Sequence, residues 1–178
     1  NQRKNRRLMD LRRPRPEDKA AILEMMAEFE KADAAHDGGF WTSENFSYED
    51  WLAYNLDCER GLNLPSGFVP AIQFVSFDEA GRALGFLHLR LRLNEFLRAQ
   101  RGHIGYSIRP SERGKGHAKE QLALGLAEAM KKNIRSILLT CHDDNPASRS
   151  VILANGGVLE DTRHHFERYW IEMEDDHE

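Results

Sequence analysis

A short glycine-rich connection constrains this chain more than any other feature. His103 to Ile108 is a strand-forming run closed by Pro110, and His117 to Lys132 places Leu122, Leu126, Ala129 and Met130 on one side of a helix. Between them lies Arg113-Gly114-Lys115-Gly116-His117-Ala118. Two glycines let a backbone approach a ligand with no side chain in the way. The helix that follows turns its unpaired N–H groups and its positive dipole end into the loop. A strand, loop and helix in this order bind an anion, typically a phosphate. Arg113, Lys115 and Lys119 add positive charge. Read alone, the same six residues also suit a tight turn with solvated basic side chains.

Two common phosphate loops are excluded. The nucleoside-triphosphate loop needs a Gly, four residues, then Gly-Lys-Ser/Thr. Here Gly114-Lys115 is followed by Gly116, and Arg109 stands where the first Gly belongs. The dinucleotide fingerprint needs a third Gly, and Lys119 occupies that place.

The rest of the chain surrounds this segment with alternating elements. Leu8 to Leu11 is a short strand, stopped by Arg13-Pro14-Arg15-Pro16. Glu17 to Ala34 reads as a helix, with Ile22, Met25, Met26 and Phe29 at helical spacing, and Asp37-Gly38-Gly39 breaks it. Ser47 and Asp50 resemble a capping box for a second helix through Trp51 and Leu56. Phe68 to Phe77 and Ala83 to Leu93 form a strand pair around Asp78-Glu79-Ala80-Gly81. In the second of these, leucines alternate with His88, Arg90 and Arg92, which predicts a half-buried strand with one polar face. Ile134 to Cys141 is a further strand. Asn145-Pro146 opens a short helix that Asn155-Gly156-Gly157 closes. Val158 to Met173 supplies one or two last strands. The order is β α α β β β α β α β β, an α/β (mixed α+β) sheet with helices on both faces.

Composition limits the partners. The chain has 178 residues, which favours one domain over residues 8–173, with solvated termini at 1–7 and 174–178. Its net charge of -4 is too mild to call for nucleic acid or a membrane surface. No apolar run approaches the ~20 residues that span a bilayer. Cys58 and Cys141 fit no disulfide framework or thiolate metal site, so a reducing cytoplasm is the expected compartment. His164-His165 finds no third ligand at a defensible spacing, so no metal is expected.

The segment from Ile104 to Gly157 resembles the GNAT acetyltransferase superfamily. Arg113 to Ala118 matches the family's pyrophosphate loop: Gln or Arg, two residues, Gly, one residue, Gly or Ala. Ile104-Gly105-Tyr106-Ser107-Ile108-Arg109-Pro110 looks like its fourth strand, and Asn145-Pro146-Ala147-Ser148 like the start of its last helix. His103 to Lys119 looks most like a group of uncharacterised bacterial predicted acetyltransferases. The resemblance implies a central, mostly antiparallel sheet with a splayed pair of strands. It implies acetyl-coenzyme A as cosubstrate, with no metal. The acceptor would be a small-molecule or peptide amine that attacks the thioester directly.

By the same resemblance, the main chain of Tyr106 and Ile108 would pair with the pantetheine arm. Arg113, Gly114, Lys115, Gly116, His117 and Ala118 would wrap the pyrophosphate, and Asn145 would bond the pantetheine from the far side. Asn145 also reads simply as a helix cap. One position departs from the pattern: Ile152 stands where many members carry the Tyr that protonates the leaving thiolate. Candidate bases are His103, which shares a strand face with Gly105 and Ser107, then Glu95 and His88. His103 also suits a strand-edge histidine bonded to a loop, and Glu95 a solvated loop carboxylate. Cys141 reads as core rather than nucleophile. Arg90, Arg92, Arg98 and Arg101 suit either an anionic acceptor or a solvated face. A coenzyme A-binding regulatory module without turnover, a generic phosphate-ligand binder and a homodimer all remain open on sequence alone.

Overall fold

The computed structural model describes residues 9–174. The expectations for residues 1–7, Leu8, Asp175, Asp176 and Glu178 lie outside the described residues. Four strands form one sheet in the order β1 (Asp10–Arg12), β2 (Ala71–Phe77), β3 (Ala83–Arg90) and β4 (Ile104–Ile108). Three more form a second sheet in the order β5 (Ser136–His142), β7 (Phe166–Glu172) and β6 (Val158–Arg163). Every ladder among the described residues is antiparallel. The helices are α1 (Lys19–Lys31), α2 (Tyr48–Arg60), α3 (His117–Lys131) and α4 (Pro146–Ala154). The predicted α/β order is the observed one.

Two apolar layers clamp the first sheet. On one face, Leu122, Leu126 and Ala129 of α3 pack with Ile72, Phe74, Leu87 and Leu89, and this core continues into Ile137, Leu139 and Ile171 of the second sheet. On the other face, Ile22, Met25, Met26 and Phe29 of α1 and Trp51 of α2 pack with Val75, Phe77 and Phe86. Among these, Ile22, Met25, Met26, Phe29, Leu87, Leu89, Leu122, Leu126 and Ala129 are residues whose helical or alternating spacing pointed to burial. The cap expected for α2 forms in part: Ser47 Oγ accepts from the Asp50 amide at 3.3 Å, without the return bond from the Asp50 side chain that completes a capping box.

One expectation is corrected. β3 is not half-buried: its residues are buried throughout except His88, which is partly buried. Both faces of a central strand are covered once α3 lies on one side and the chain after α1 on the other. The strand also ends at Arg90, so Leu91 and Leu93 lie outside it.

The two sheets touch at one joint. The His103 amide donates to the Leu138 carbonyl at 2.8 Å. The Leu138 amide donates back to His103 Nδ1 at 2.9 Å. Beyond this joint β4 and β5 have no ladder, so they diverge and leave a cleft. The π-helical turn Leu97–Arg101 closes the narrow end. It is tied to the second sheet by Thr140 Oγ1 on the Gln100 carbonyl and Arg168 Nε on the Arg98 carbonyl.

Candidate active site

The cleft runs from the loop after α1, along β4, to the N-terminal ends of α3 and α4. Its floor is the outer edge of β4. Arg90 donates to the His103 carbonyl and Arg109 to the Leu84 carbonyl. In an antiparallel ladder such pairs alternate with residues that turn their N–H and C=O the other way. The β3–β4 register then directs the main chain of Ile104, Tyr106 and Ile108 into the cleft. An unpaired strand edge of this kind accepts an extended ligand as an added strand.

That edge leads into the glycine loop. Gly114 and Gly116 have φ of 76° and 84°, and a Cβ built on either would meet nothing within 4 Å. Backbone conformation, rather than crowding, calls for glycine here. Gly116 caps α3 without a side-chain bond, so the first amides of the helix face open space. Arg113, Gly114, Gly116, His117, Ala118 and Lys119 line the cleft. Lys115 does not; its ammonium lies 3.0 Å from Glu112. Arg113 turns back to donate to the Ile108 carbonyl at 2.8 Å. Behind the loop, Arg109 anchors β4 to α1 through Glu28 at 2.9 Å. That contact pulls the Glu28 carboxyl down to about 2.

The opposite wall belongs to β5 and α4. Asn145 caps α4, its oxygen accepting from the Ser148 amide at 3.1 Å, and it lines the cleft. Tyr106 Oη lies 3.0 Å from Ser148 Oγ, so two hydroxyls bridge β4 and α4 across the cleft. Burial pushes the Tyr106 phenol up to about 12, which keeps it protonated. Ile152 is fully buried in the core. Cys141 is buried at the cleft wall, with Sγ 3.5 Å from Glu167. Burial, then the Glu167 contact, pushes its thiol up to about 12.

The chain after α1 crosses β4 near its middle. Gly38, at φ 79°, lies so close to β4 that a Cβ there would fall 2.4 Å from the Gly105 carbonyl oxygen. Asp37 is thereby placed on the cleft, and the Arg90 guanidinium lies beneath, in contact distance of Gly105. His88 also lines this end, beside Phe40 at 4.5 Å between ring centroids. Burial, then the charge of Arg90, pushes His88 down to about 3. Glu95 is an exposed residue of the cleft rim.

His103, the foremost base candidate from sequence, does not line the cleft. It is 6% exposed and its Nδ1 is occupied by the Leu138 amide. Burial, then the charges of Arg98 and Arg90, pushes it down to about 4. The geometry makes it a joint between sheets. Small neighbours on its strand face had suggested open space, but β5 fills that space. Sequence reasoning missed Asp37, taken only as part of a helix break, and the pairing of Tyr106 with Ser148. The signal for the first was a carboxylate beside two glycines. The second has no local signal, since the two residues meet only through the fold.

A second polar group sits at the exposed end of β5, where His142 also lines the cleft. Ligand atoms of His142, Asp143 and Asp144 lie within 4.8 Å of one another, and His165 Nδ1 is 3.0 Å from Asp143. Sequence spacing gave His165 no such neighbours. All four residues are exposed, and their mutual contacts account for the arrangement.

Comparison with known proteins agrees with this geometry. Residues 8–158 match the model of the acetyltransferase (GNAT) domain. No curated protein matches the chain. Among solved structures, ribosomal-protein-S5-alanine acetyltransferase from Vibrio fischeri is 19% identical, with a TM-score of 0.69 and 96% of each chain covered. Ribosomal L7/L12 alpha-N-protein acetyltransferase in complex with coenzyme A is 21% identical, with a TM-score of 0.66 over 94% of this chain and 96% of that one. A spermidine N-acetyltransferase chimera from Vibrio cholerae and its human counterpart is 16% identical, with a TM-score of 0.61 over 93% and 96%.

Proposed function

The chain belongs to the GNAT acetyltransferase family, and on that premise we propose that it moves an acetyl group from acetyl-coenzyme A to an amine acceptor by direct attack within the cleft between β4 and β5. The observation that carries this reading is the continuous surface from the free edge of β4 to the amides at the start of α3. A pantetheine arm presents amides that suit the first, and a pyrophosphate suits the second. Tyr106, Ile108, Arg113, Gly114, Gly116, His117, Ala118 and Asn145 all line that surface. Lys115 contributes charge from outside it.

The chemistry needs three things from the chain. Main-chain N–H groups of β4 stabilise the oxyanion that forms when the amine attacks the thioester carbonyl. The alkylammonium must first lose a proton, because its pKa is near ~10. Asp37, placed over β4 by Gly38, receives that proton through water, with Glu95 at the outer rim as the second carboxylate. The departing thiolate takes a proton from the Tyr106–Ser148 pair, which supplies the hydroxyl that position 152 lacks. The regulatory alternative draws weak support from Ile152; the Tyr106 and Ser148 hydroxyls offer another proton donor. No relative's substrate transfers to this chain at these identities, although the named proteins acetylate ribosomal proteins or spermidine.

Two measurements test the reading. Calorimetry should show desulfo-coenzyme A binding, and thiol release should rise when a panel of amines is added with acetyl-coenzyme A. Binding without release on any amine would support the regulatory module. No binding would overturn the cofactor assignment.

A further inference from the structure

Arg90 is a buried cation at the acceptor end of the cleft. It is 8% exposed, and the charge of Asp37 reaches it without a contact ion pair among the described residues. Its Nη1 is held by the carbonyls of Arg101 and Gly102, at 3.2 and 3.3 Å. Its Nη2 lies 3.2 Å from where a Cβ on Gly105 would sit, beside the Gly38 backbone, so a side chain at residue 105 would crowd it. Arg90 lines the cleft at this point. The nearby charge of Arg101 is like in sign, and burial lowers the guanidinium to about 10. Taking a cation out of water is costly, and a fork of donors at the foot of a cleft matches a carboxylate.

The surroundings of that fork narrow the ligand. Asp37 lines the same end and bears the opposite charge, its field reaching both Arg90 and Tyr106. Phe40 and Phe68 stack edge to face beside it, at 39% and 46% exposure, and offer an apolar wall. The cleft thus presents an anion site, a cation site and an aromatic surface within one end.

We propose that the acceptor is a free α-amino acid with an apolar side chain, whose carboxylate pairs with Arg90 while its ammonium faces Asp37 and its side chain lies on Phe40 and Phe68. This rests on the acetyl-transfer reading above and adds the substrate class to it. The amine then attacks the thioester carbonyl, the C–S bond breaks, the thiol leaves protonated, and an N-acetyl amino acid is the product. Arg90 binds substrate and moves no proton.

Matched acceptors provide the test. Phenylalanine, leucine and methionine are compared with their amides and with the corresponding decarboxylated amines, at fixed acetyl-coenzyme A. At least one acid should exceed its amide and its amine tenfold or more in kcat/KM. Arg90→Gln should bring that ratio close to one, mainly through KM for the acid, with KM for acetyl-coenzyme A unchanged. Arg90→Lys keeps the charge without the fork and should fall between. Equal rates on acid, amide and amine in the parent protein would overturn the proposal, as would a ratio that Arg90→Gln leaves intact. The parent comparison needs no variant, so it stands even if Arg90→Gln does not fold. Acetyl-coenzyme A binding with no turnover of any acid also overturns it while sparing the cofactor assignment. Failure of acetyl-coenzyme A to bind sinks both.

Discussion

His103 and Leu138 exchange two hydrogen bonds, amide to carbonyl at 2.8 Å and amide to imidazole Nδ1 at 2.9 Å, and these fix the point where β4 and β5 part. An imidazole that accepts at Nδ1 carries its proton on Nε2 and must be neutral. The joint therefore depends on pH.

Stability is expected to fall as the solution is acidified through this range. His103 titrates near ~6.5 in the unfolded chain and about 4 in the fold. Between those values the unfolded state holds the extra proton, so falling pH favours unfolding, by at most about 1.4 kcal/mol per pH unit for this group. His103→Asn can accept from Leu138 without titrating and should flatten that slope in chemical denaturation at several pH values. His103→Ala leaves the amide unpaired and should lower stability by ~1–3 kcal/mol at pH 7. A catalytic histidine would instead lose kcat in both variants with stability intact.

Gly116→Asp places bulk and negative charge beside the α3 amides, at a residue whose φ is 84°. Acetyl-coenzyme A should bind at least tenfold more weakly, about 1.4 kcal/mol. The fold should survive, because the new side chain meets no atom and its left-handed backbone costs only about 1–2 kcal/mol. Calorimetry with an unchanged dissociation constant would show that the loop holds no pyrophosphate.

Tyr106→Phe and Ser148→Ala should each lower kcat by about 10-fold or more, with acetyl-coenzyme A affinity little changed. The hydroxyls are 3.0 Å apart, so the double variant should lose less than the product of the two. Full additivity in steady-state kinetics would mean that the two do not share one proton path.

Cys141→Ala should retain most of its activity. A thiol pushed up to about 12 is almost wholly protonated at neutral pH and makes a poor nucleophile. Intersecting initial-velocity patterns are expected, as for a ternary complex. Ping-pong patterns with an acetylated Cys141 in mass spectrometry would make the thiol a carrier.

Most of the glycine-loop end of the cleft was legible from local pattern. Gly114 and Gly116 carry positive φ that other residues adopt at a cost, so a loop between a strand and a helix announces itself in sequence. The capping roles of Ser47 and Asn145 depend on atoms three residues away and are equally local. The acceptor side was not legible in the same way. Arg90 alternates with leucines as a solvated residue would, yet it is buried at the foot of the cleft. Asp37 looked like punctuation because its importance lies in Gly38 meeting Gly105, across a long stretch of chain.

By itself, then, the sequence determined the order of strands and helices, many of their apolar faces and the glycine loop before α3, because periodicity, capping and backbone freedom act over a few residues. Only the tertiary structure decided which charged groups face the cleft. It seated His103 as a joint by placing Leu138 against it, buried Arg90 without a contact ion pair among the described residues, and brought Tyr106 to Ser148. Those outcomes depend on which distant segments pack together, and the free energy of a buried charge or hydrogen bond is set by that packing rather than by neighbours in the chain.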